Sequence, residues 1–232
     1  MPRFYDLKGE AWVASEAKRR MDVVLAAGAL PIALPIGALA IGMSRVLDGR
    51  DTIYTQTRVG QYGELFDMSK IRTMKAADPG QAATEREEIT TLGSWLRPTA
   101  IDEMPQLFDI LDGRMSFIGP RAVSEDFSES MSQALDPATN SKWRYTQYVS
   151  RPGGISTHQI TNRLGIANKM IALDEGRLRL KAAMDLYDFN NASFSYDLGL
   201  IRRAAAATAG AGVGVLLGRE SSLEATENES SL

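Results

Sequence analysis

The feature that most constrains this chain is an uncharged run of 21 residues, Val23 to Met43, which carries two prolines four apart, Pro31 and Pro35. A straight helix of that length spans roughly 32 Å, about the thickness of a bilayer's hydrocarbon core. Each proline removes an amide donor and pushes against the preceding turn, so a break or sharp bend is expected midway. Lys18, Arg19 and Arg20 precede the run, and Arg45 and Arg50 follow it. A simple crossing concentrates Lys and Arg on one side of the membrane. A helix that enters one leaflet, turns and leaves by the same face accounts for both the prolines and the flanking charge. On the residues alone three alternatives stand beside it: a kinked spanning helix, a leader cleaved at Ala38-Leu39-Ala40, and a buried core helix.

The rest of the chain has the makings of a folded domain. Its 232 residues are 44% hydrophobic, enough for a packed core. A net charge of -3 offers no basic excess to a phosphate backbone, so no nucleic-acid partner is expected. There is no cysteine, and His158 is the only histidine. Disulfides, thiolate nucleophiles and His-rich zinc sites are thereby set aside, and acid-base work falls to carboxylates.

Thr52 to Met68 alternates β-branched or aromatic residues with polar ones around Gly60-Gln61-Tyr62-Gly63, the pattern of a β-hairpin. Residues 76–90 read as a loop and an exposed helix start, and Asp136-Pro137 breaks a polar helical region. Helices are expected from about Ile166 to Phe189 and again from near Ser193, with Leu198 to Leu217 an interfacial or packed helix. The tail RESSLEATENESSL carries four Glu against one Arg and reads as disordered. The expected fold is α+β, mainly helical with a small β-hairpin, an N-terminal re-entrant membrane helix and interfacial amphipathic helices. Its expected parts are a polar segment (1–17), the membrane helix (18–50), a folded domain (51–217) and an acidic tail (218–232).

Chemistry concentrates between Leu92 and Arg121, where carboxylates and arginines crowd around turn residues. Asp102 and Glu103 are adjacent, and Pro105 suits a first helical turn, so the pair is expected at a helix N-terminus. Free amides and the positive dipole end there attract phosphate and keep a carboxylate ionised, as a nucleophile attacking phosphorus requires. The same residues also fit a plain helix start, with Thr99 and Asp102 spaced as in a capping box. Arg97, Arg114 and Arg121 carry planar forks that suit phosphate oxygens, and Gly119-Pro120 fixes a turn presenting Arg121. Lys70 and Arg72 alternate at a strand end and face one side together. His158 reads as a hydrogen-bonded structural residue.

Several segments share an order with a known family. They are KRRMD (Lys18 to Asp22), a proline midway through the apolar run, QTRVGQYGELF (Gln56 to Phe66), SKIRTM (Ser69 to Met74) and LRPTAIDEMPQLFDILDGRMSFIGPR (Leu96 to Arg121). RPGG at Arg151, then Gln159, Arg163 and DLYDFNNASFSYDL (Asp185 to Leu198) follow. Together they resemble the bacterial sugar transferases, the monotopic polyprenyl-phosphate phosphoglycosyl transferases, in a minimal form. The resemblance implies a membrane helix bent at Pro35 and an active site on the cytoplasmic face of the inner membrane. It also implies that Asp102 attacks the sugar-bearing phosphate of a UDP-sugar and expels UMP, after which polyprenyl phosphate takes the phosphosugar from the aspartate.

In that scheme Glu103 holds Mg²⁺ or assists the acceptor. Lys70, Arg72, Arg97 and Arg121 match the family's basic positions, with Arg151 and Arg163 as further phosphate binders. The implied partners are the UDP-sugar, polyprenyl phosphate, inner-membrane phospholipids and downstream glycosyltransferases of a surface-glycan pathway. The chain departs from the family at Leu34, where many members have Ser, at Ala122 after Gly119-Pro120-Arg121, and at Pro152-Gly153-Gly154-Ile155-Ser156. Two other functions compete: a Mg²⁺-dependent hydrolase using the same dyad with water, and a non-catalytic membrane scaffold. No motif encodes which sugar is moved.

Overall fold

A computed structural model of the protein describes residues 7–48, 51–74, 89–164 and 174–216. After a short α1 (Glu10–Val13), the apolar run forms the middle of one long helix, α2 (Glu16–Asp48). The helix is continuous through Pro31 and Pro35, so the expected break at Pro35 is not an interruption of the helix. Prolines persist in an apolar helix when neighbouring elements support it, and α2 has such support along much of its length. Ala26, Ala33 and Ala40, spaced by seven, are buried. Ala26 packs with Phe66, Met68, Ile110 and Met115, and Ala40 with Ile71, Leu92 and Leu96.

The opposite face of α2 is bare. Val24, Ile32, Leu39 and Val46 are 65–83% exposed, and only 22% of the helix's most apolar window, of mean hydropathy 2.2, is buried. A core helix would be covered all round, so α2 is long and apolar enough to cross a membrane and offers its apolar face outward. Of the basic cluster before it, Lys18 is buried against Asp22 and Asp197, and Arg19 donates to the carbonyls of Ile110 and Leu111. Arg20 pairs with Glu16 in solvent.

The hairpin is present as β1 (Ile53–Val59) and β2 (Leu65–Ile71), antiparallel with Tyr54 opposite Lys70 and Thr57 opposite Asp67. Its second strand runs three residues beyond Met68. The turn is a 3₁₀ turn over Gln61–Gly63, with Tyr62 and Gly63 both at positive φ. Then come α3 (Thr91–Thr99), capped by the Thr90 side chain, and α4 (Gln106–Asp112). Gly93 of α3 lies so close to β2's continuation that a Cβ there would meet the Thr73 carbonyl oxygen at 2.3 Å.

β3 (Ser116–Ile118) pairs in parallel with β4 (Gly153–Ile155), a contact that the sequence pattern did not announce. Between them lie α5 (Glu125–Ala134) and α6 (Pro137–Val149). Asp136 caps α6 through the amides of Ala138 and Thr139, so Asp136-Pro137 starts a helix as well as ending the segment before it. After β4 come α7 (Thr157–Arg163), α8 (Asp174–Asn191) and α9 (Phe194–Leu216). Leu200, Ala204 and Ala207 of α9 pack with Ile118 and Ile160, which makes it a packed helix. The expected loop at 76–88, the expected helix start near Ile166 and the acidic tail lie outside the described residues.

Candidate active site

α3 ends at Ala100, an L-residue in the left-handed region at φ 56°, and the next three residues form a 3₁₀ turn, Ile101–Glu103. Non-glycine residues adopt that conformation at a cost, typically where surrounding structure holds a functional group in place. Asp102 and Glu103 therefore sit in a tight turn between two helices, with α4 starting only after Pro105. The capping box is not formed. Thr99 lies in the last turn of α3, and its hydroxyl donates to the carbonyls of Trp95 and Leu96.

The two carboxylates differ in their surroundings. Asp102 is buried at 8% exposure. Burial, with the neighbouring Glu103 charge, lifts its pKa to about 6, against the opposing pull of Lys70 and Arg97. Glu103 is more open and is held by two arginines: Arg121 at 3.1 Å and Arg163 at 3.4 Å, one on each oxygen. Arg163 also donates to Thr208 of α9, and Arg97 donates to Thr73.

These groups line a cavity of about 450 Å³. Its walls carry six cations, Arg58, Lys70, Arg97, Arg121, Arg163 and Lys181, against the two carboxylates. Such an excess suits a ligand with several negative charges. Burial, more than any neighbour, pushes the Lys70 ammonium's pKa down, while Asp102 pulls it up. No group of three or more His, Cys, Asp or Glu side chains close enough for a metal occurs among the described residues. The Asp102-Glu103 pair instead fits the sites that Mg²⁺ takes, where one or two carboxylates are completed by substrate phosphates.

A second cavity, about 330 Å³, runs beside α2. Its lining is largely apolar, with Ala29, Ile32 and Ala33 of α2 facing Met104, Leu107, Phe117 and Ile155. Glu103 lines both cavities, so the dyad stands where a cationic chamber meets an apolar groove.

The profile of the bacterial sugar transferase family matches residues 13–210. The chain belongs to the bacterial sugar transferases. A Bacillus subtilis (strain 168) protein named for transfer of N-acetylgalactosaminyl 1-phosphate to undecaprenyl phosphate is 38% identical over 122 residues, which is 51% of this chain and 68% of that protein. The undecaprenyl-phosphate galactose phosphotransferase of Salmonella typhimurium is 34% identical over 63% of this chain. The UDP-glucose:undecaprenyl-phosphate glucose-1-phosphate transferase of Caulobacter vibrioides is 31% identical over 64% of it. The matched segments span 33% and 55% of those two relatives.

Of the site residues expected for this sugar transferase, Asp102, Glu103, Lys70, Arg97, Arg121 and Arg163 share the one cavity. Arg72 and Arg151 lie outside its lining. Arg72 donates to the Asp51 carbonyl and stacks over Tyr54, and Arg151 donates to the Gly113 carbonyl. Arg114 is committed to Asp109 and Asp112. The lining residues not singled out as ligands from sequence include Arg58, Lys181, Asn162 and His158. Arg58 had a legible signal, since strand parity places residues 54, 56 and 58 on the face that their partners 70, 68 and 66 share.

Proposed function

We propose that this sugar transferase moves a sugar 1-phosphate from a UDP-sugar to polyprenyl phosphate and releases UMP, through an acyl phosphate on Asp102. The position of the dyad at the meeting of the two cavities carries the reading. Six cations receive the diphosphate, and the groove beside α2 gives an isoprenoid chain an apolar path that ends at the reacting phosphate. In the first step an Asp102 carboxylate oxygen attacks the sugar-bearing phosphorus, and the bond from that phosphorus to the UMP oxygen breaks. In the second, a phosphate oxygen of the lipid attacks the same phosphorus, and the bond from that phosphorus to the Asp102 oxygen breaks to restore the carboxylate. One site thus serves two anionic substrates in turn.

Lys70 and Arg97, which both act on Asp102, neutralise charge at the attacked phosphate. Arg121 and Arg163 exchange Glu103 for phosphate oxygens as the donor enters. Glu103, together with those phosphate oxygens, would hold Mg²⁺, which supplies charge neutralisation when bound.

The proposed topology is monotopic and re-entrant, with the domain on the cytoplasmic face of the inner membrane and amphipathic helices at its surface. In support, α2 packs on the same domain at Ala26 and at Ala40, roughly 21 Å apart along the helix, so both halves of its apolar run rest against one body. The product would feed later glycosyltransferases of surface-glycan assembly, as exopolysaccharide, O-antigen or glycoprotein glycan. The test is UMP release by detergent-solubilised protein with Mg²⁺, a UDP-sugar panel and polyprenyl phosphate. Repeated turnover that requires the lipid, with all UMP release lost in Asp102→Asn, is expected. Release without lipid beyond one UMP per enzyme indicates a hydrolase, and activity retained by Asp102→Asn overturns the covalent route.

A further inference from the structure

One wall of the basic cavity carries a recognition element that the phosphate chemistry does not use. His158 and Asn162, one turn apart on α7, both line the cavity, and the Asn162 Nδ2 lies 3.3 Å from the His158 Nε2. The other ring nitrogen, Nδ1, is buried with no partner among the described residues. Burial, and after it Lys181, pushes the His158 pKa down, against the pull of Asp185, so the ring is neutral at physiological pH. A neutral ring whose Nε2 faces an amide nitrogen accepts from it. That contact fixes the carboxamide and leaves its oxygen and second N–H for a ligand. The neighbouring Gln159 is already committed, donating to the Gly154 carbonyl and accepting from Ser156.

Electrostatic neighbours give the order along the cavity. Asp102 feels Glu103, Lys70 and Arg97, whereas His158 feels Lys181, Asp185 and Arg121. Arg121, paired with Glu103, stands between a dyad end and a His158 end. A donor with its sugar-bearing phosphate at Asp102 keeps the sugar beside the dyad. Its second phosphate and ribose then separate that phosphorus from the base, so the base reaches the His158 end. Phe127, whose ring lies under the Lys181 ammonium, supplies apolar wall there for a flat ring. The edge of uracil presents an imide N–H beside a carbonyl, which a carboxamide oxygen and N–H complement.

We propose that Asn162, held in one orientation by His158, reads the uracil edge of the donor nucleotide. This rests on the UDP-sugar reading above and adds base selection to it. Asn162 contacts the ligand, and His158 is a positioning residue. CMP shows the reversed pattern, a bare N3 beside an amino group, which Asn162 meets only after turning its carboxamide against His158.

The experiment is titration of the full chain in detergent with UMP, CMP and pyrophosphate, for wild type, Asn162→Ala and His158→Ala. Wild type is expected to prefer UMP. Asn162→Ala loses about tenfold in UMP affinity, the worth of one or two neutral hydrogen bonds, and most of the UMP:CMP preference, while pyrophosphate binds as before. His158→Ala lowers the preference by tightening CMP, because the freed carboxamide can turn, an outcome that loss of packing alone does not give. An unchanged UMP:CMP ratio in Asn162→Ala overturns the proposal, and an unchanged ratio in His158→Ala overturns the positioning role. Wild type that binds pyrophosphate but neither nucleotide defeats the nucleotide-donor reading itself, and is thereby distinguished from failure of base selection.

Discussion

Burial holds the Asp102 carboxyl near pKa 6, Glu103 adds repulsion, and Lys70 with Arg97 offsets only part of both. A nucleophilic carboxylate must be ionised, so kcat/KM for UMP release is expected to fall about tenfold per pH unit below pH 6. A pH profile flat to pH 4.5 would refute this. The stability consequence has the opposite sense to an ordinary salt-bridged aspartate. The folded pKa lies above the model-peptide value of 3.8, so the folded state binds the proton more tightly than the unfolded chain does. The favourable contribution is complete below the unfolded pKa and is lost as pH rises to about 6. At neutral pH the ionised group costs on the order of 3 kcal/mol. Asp102→Asn should therefore melt at a higher temperature than wild type at pH 8, with the advantage gone by pH 4, while losing UMP release. Thermal unfolding of both proteins at the two pH values checks it, and equal melting at pH 8 would count against the burial account.

The elements around the dyad were legible to different degrees. Alternation over residues 52–68 disclosed the hairpin because its partners are neighbours in sequence. The strands Ser116–Ile118 and Gly153–Ile155 are three residues each and pair across more than thirty positions, so no local period marks them. Their pairing sets the spacing of Arg121, which follows β3, from α7 and Arg163, which follow β4. Gly119 and Gly153 make it possible: a Cβ on Gly153 would lie 2.1 Å from the Gly119 amide nitrogen, backbone that cannot move aside. Gly153→Ala is expected to cost about 2–4 kcal/mol and to reduce UMP release, read as a lower urea midpoint together with a raised donor KM. A variant with wild-type midpoint and KM would remove β3–β4 as the spacer. The misread capping box has a similar cause. Ala100 in the left-handed region divides α3 from the dyad's turn, and alanine gives no sequence signal for that conformation. The paired motifs and their order were enough to find Asp102, Glu103 and four of the cations. Arg72, expected beside Lys70 as a phosphate binder, lies outside the cavity lining because it falls just past the end of β2, where its side chain turns to Asp51.

Across the whole molecule, the membrane helix and the catalytic domain are joined by a charge cluster that sequence alone presents as a membrane flank. Lys18 is 4% exposed and lies 2.9 Å from Asp22 and 3.2 Å from Asp197, while its ammonium also donates to Ser116. Trp12 donates to the same Asp197, and the Phe117 amide donates to Asp22. The beginning of α2 is thus tied to β3 and α9 through one buried ammonium and two buried carboxylates. Removing the ammonium leaves both carboxylates without their cation, and breaking a buried pair from one side typically costs about 3–5 kcal/mol. Lys18→Met is expected to lower the melting temperature in detergent accordingly, and adding Asp22→Asn and Asp197→Asn should recover part of the loss by removing the stranded charge. Neither Lys18 nor Asp22 lines the basic cavity, so the folded fraction of Lys18→Met should keep the wild-type donor KM. An unchanged melting temperature would show that the cluster does not join helix to domain. A raised KM at full folding would show instead that strain at the start of α2 reaches the dyad, through the contacts of α2 with α4 and the turn that carries Asp102.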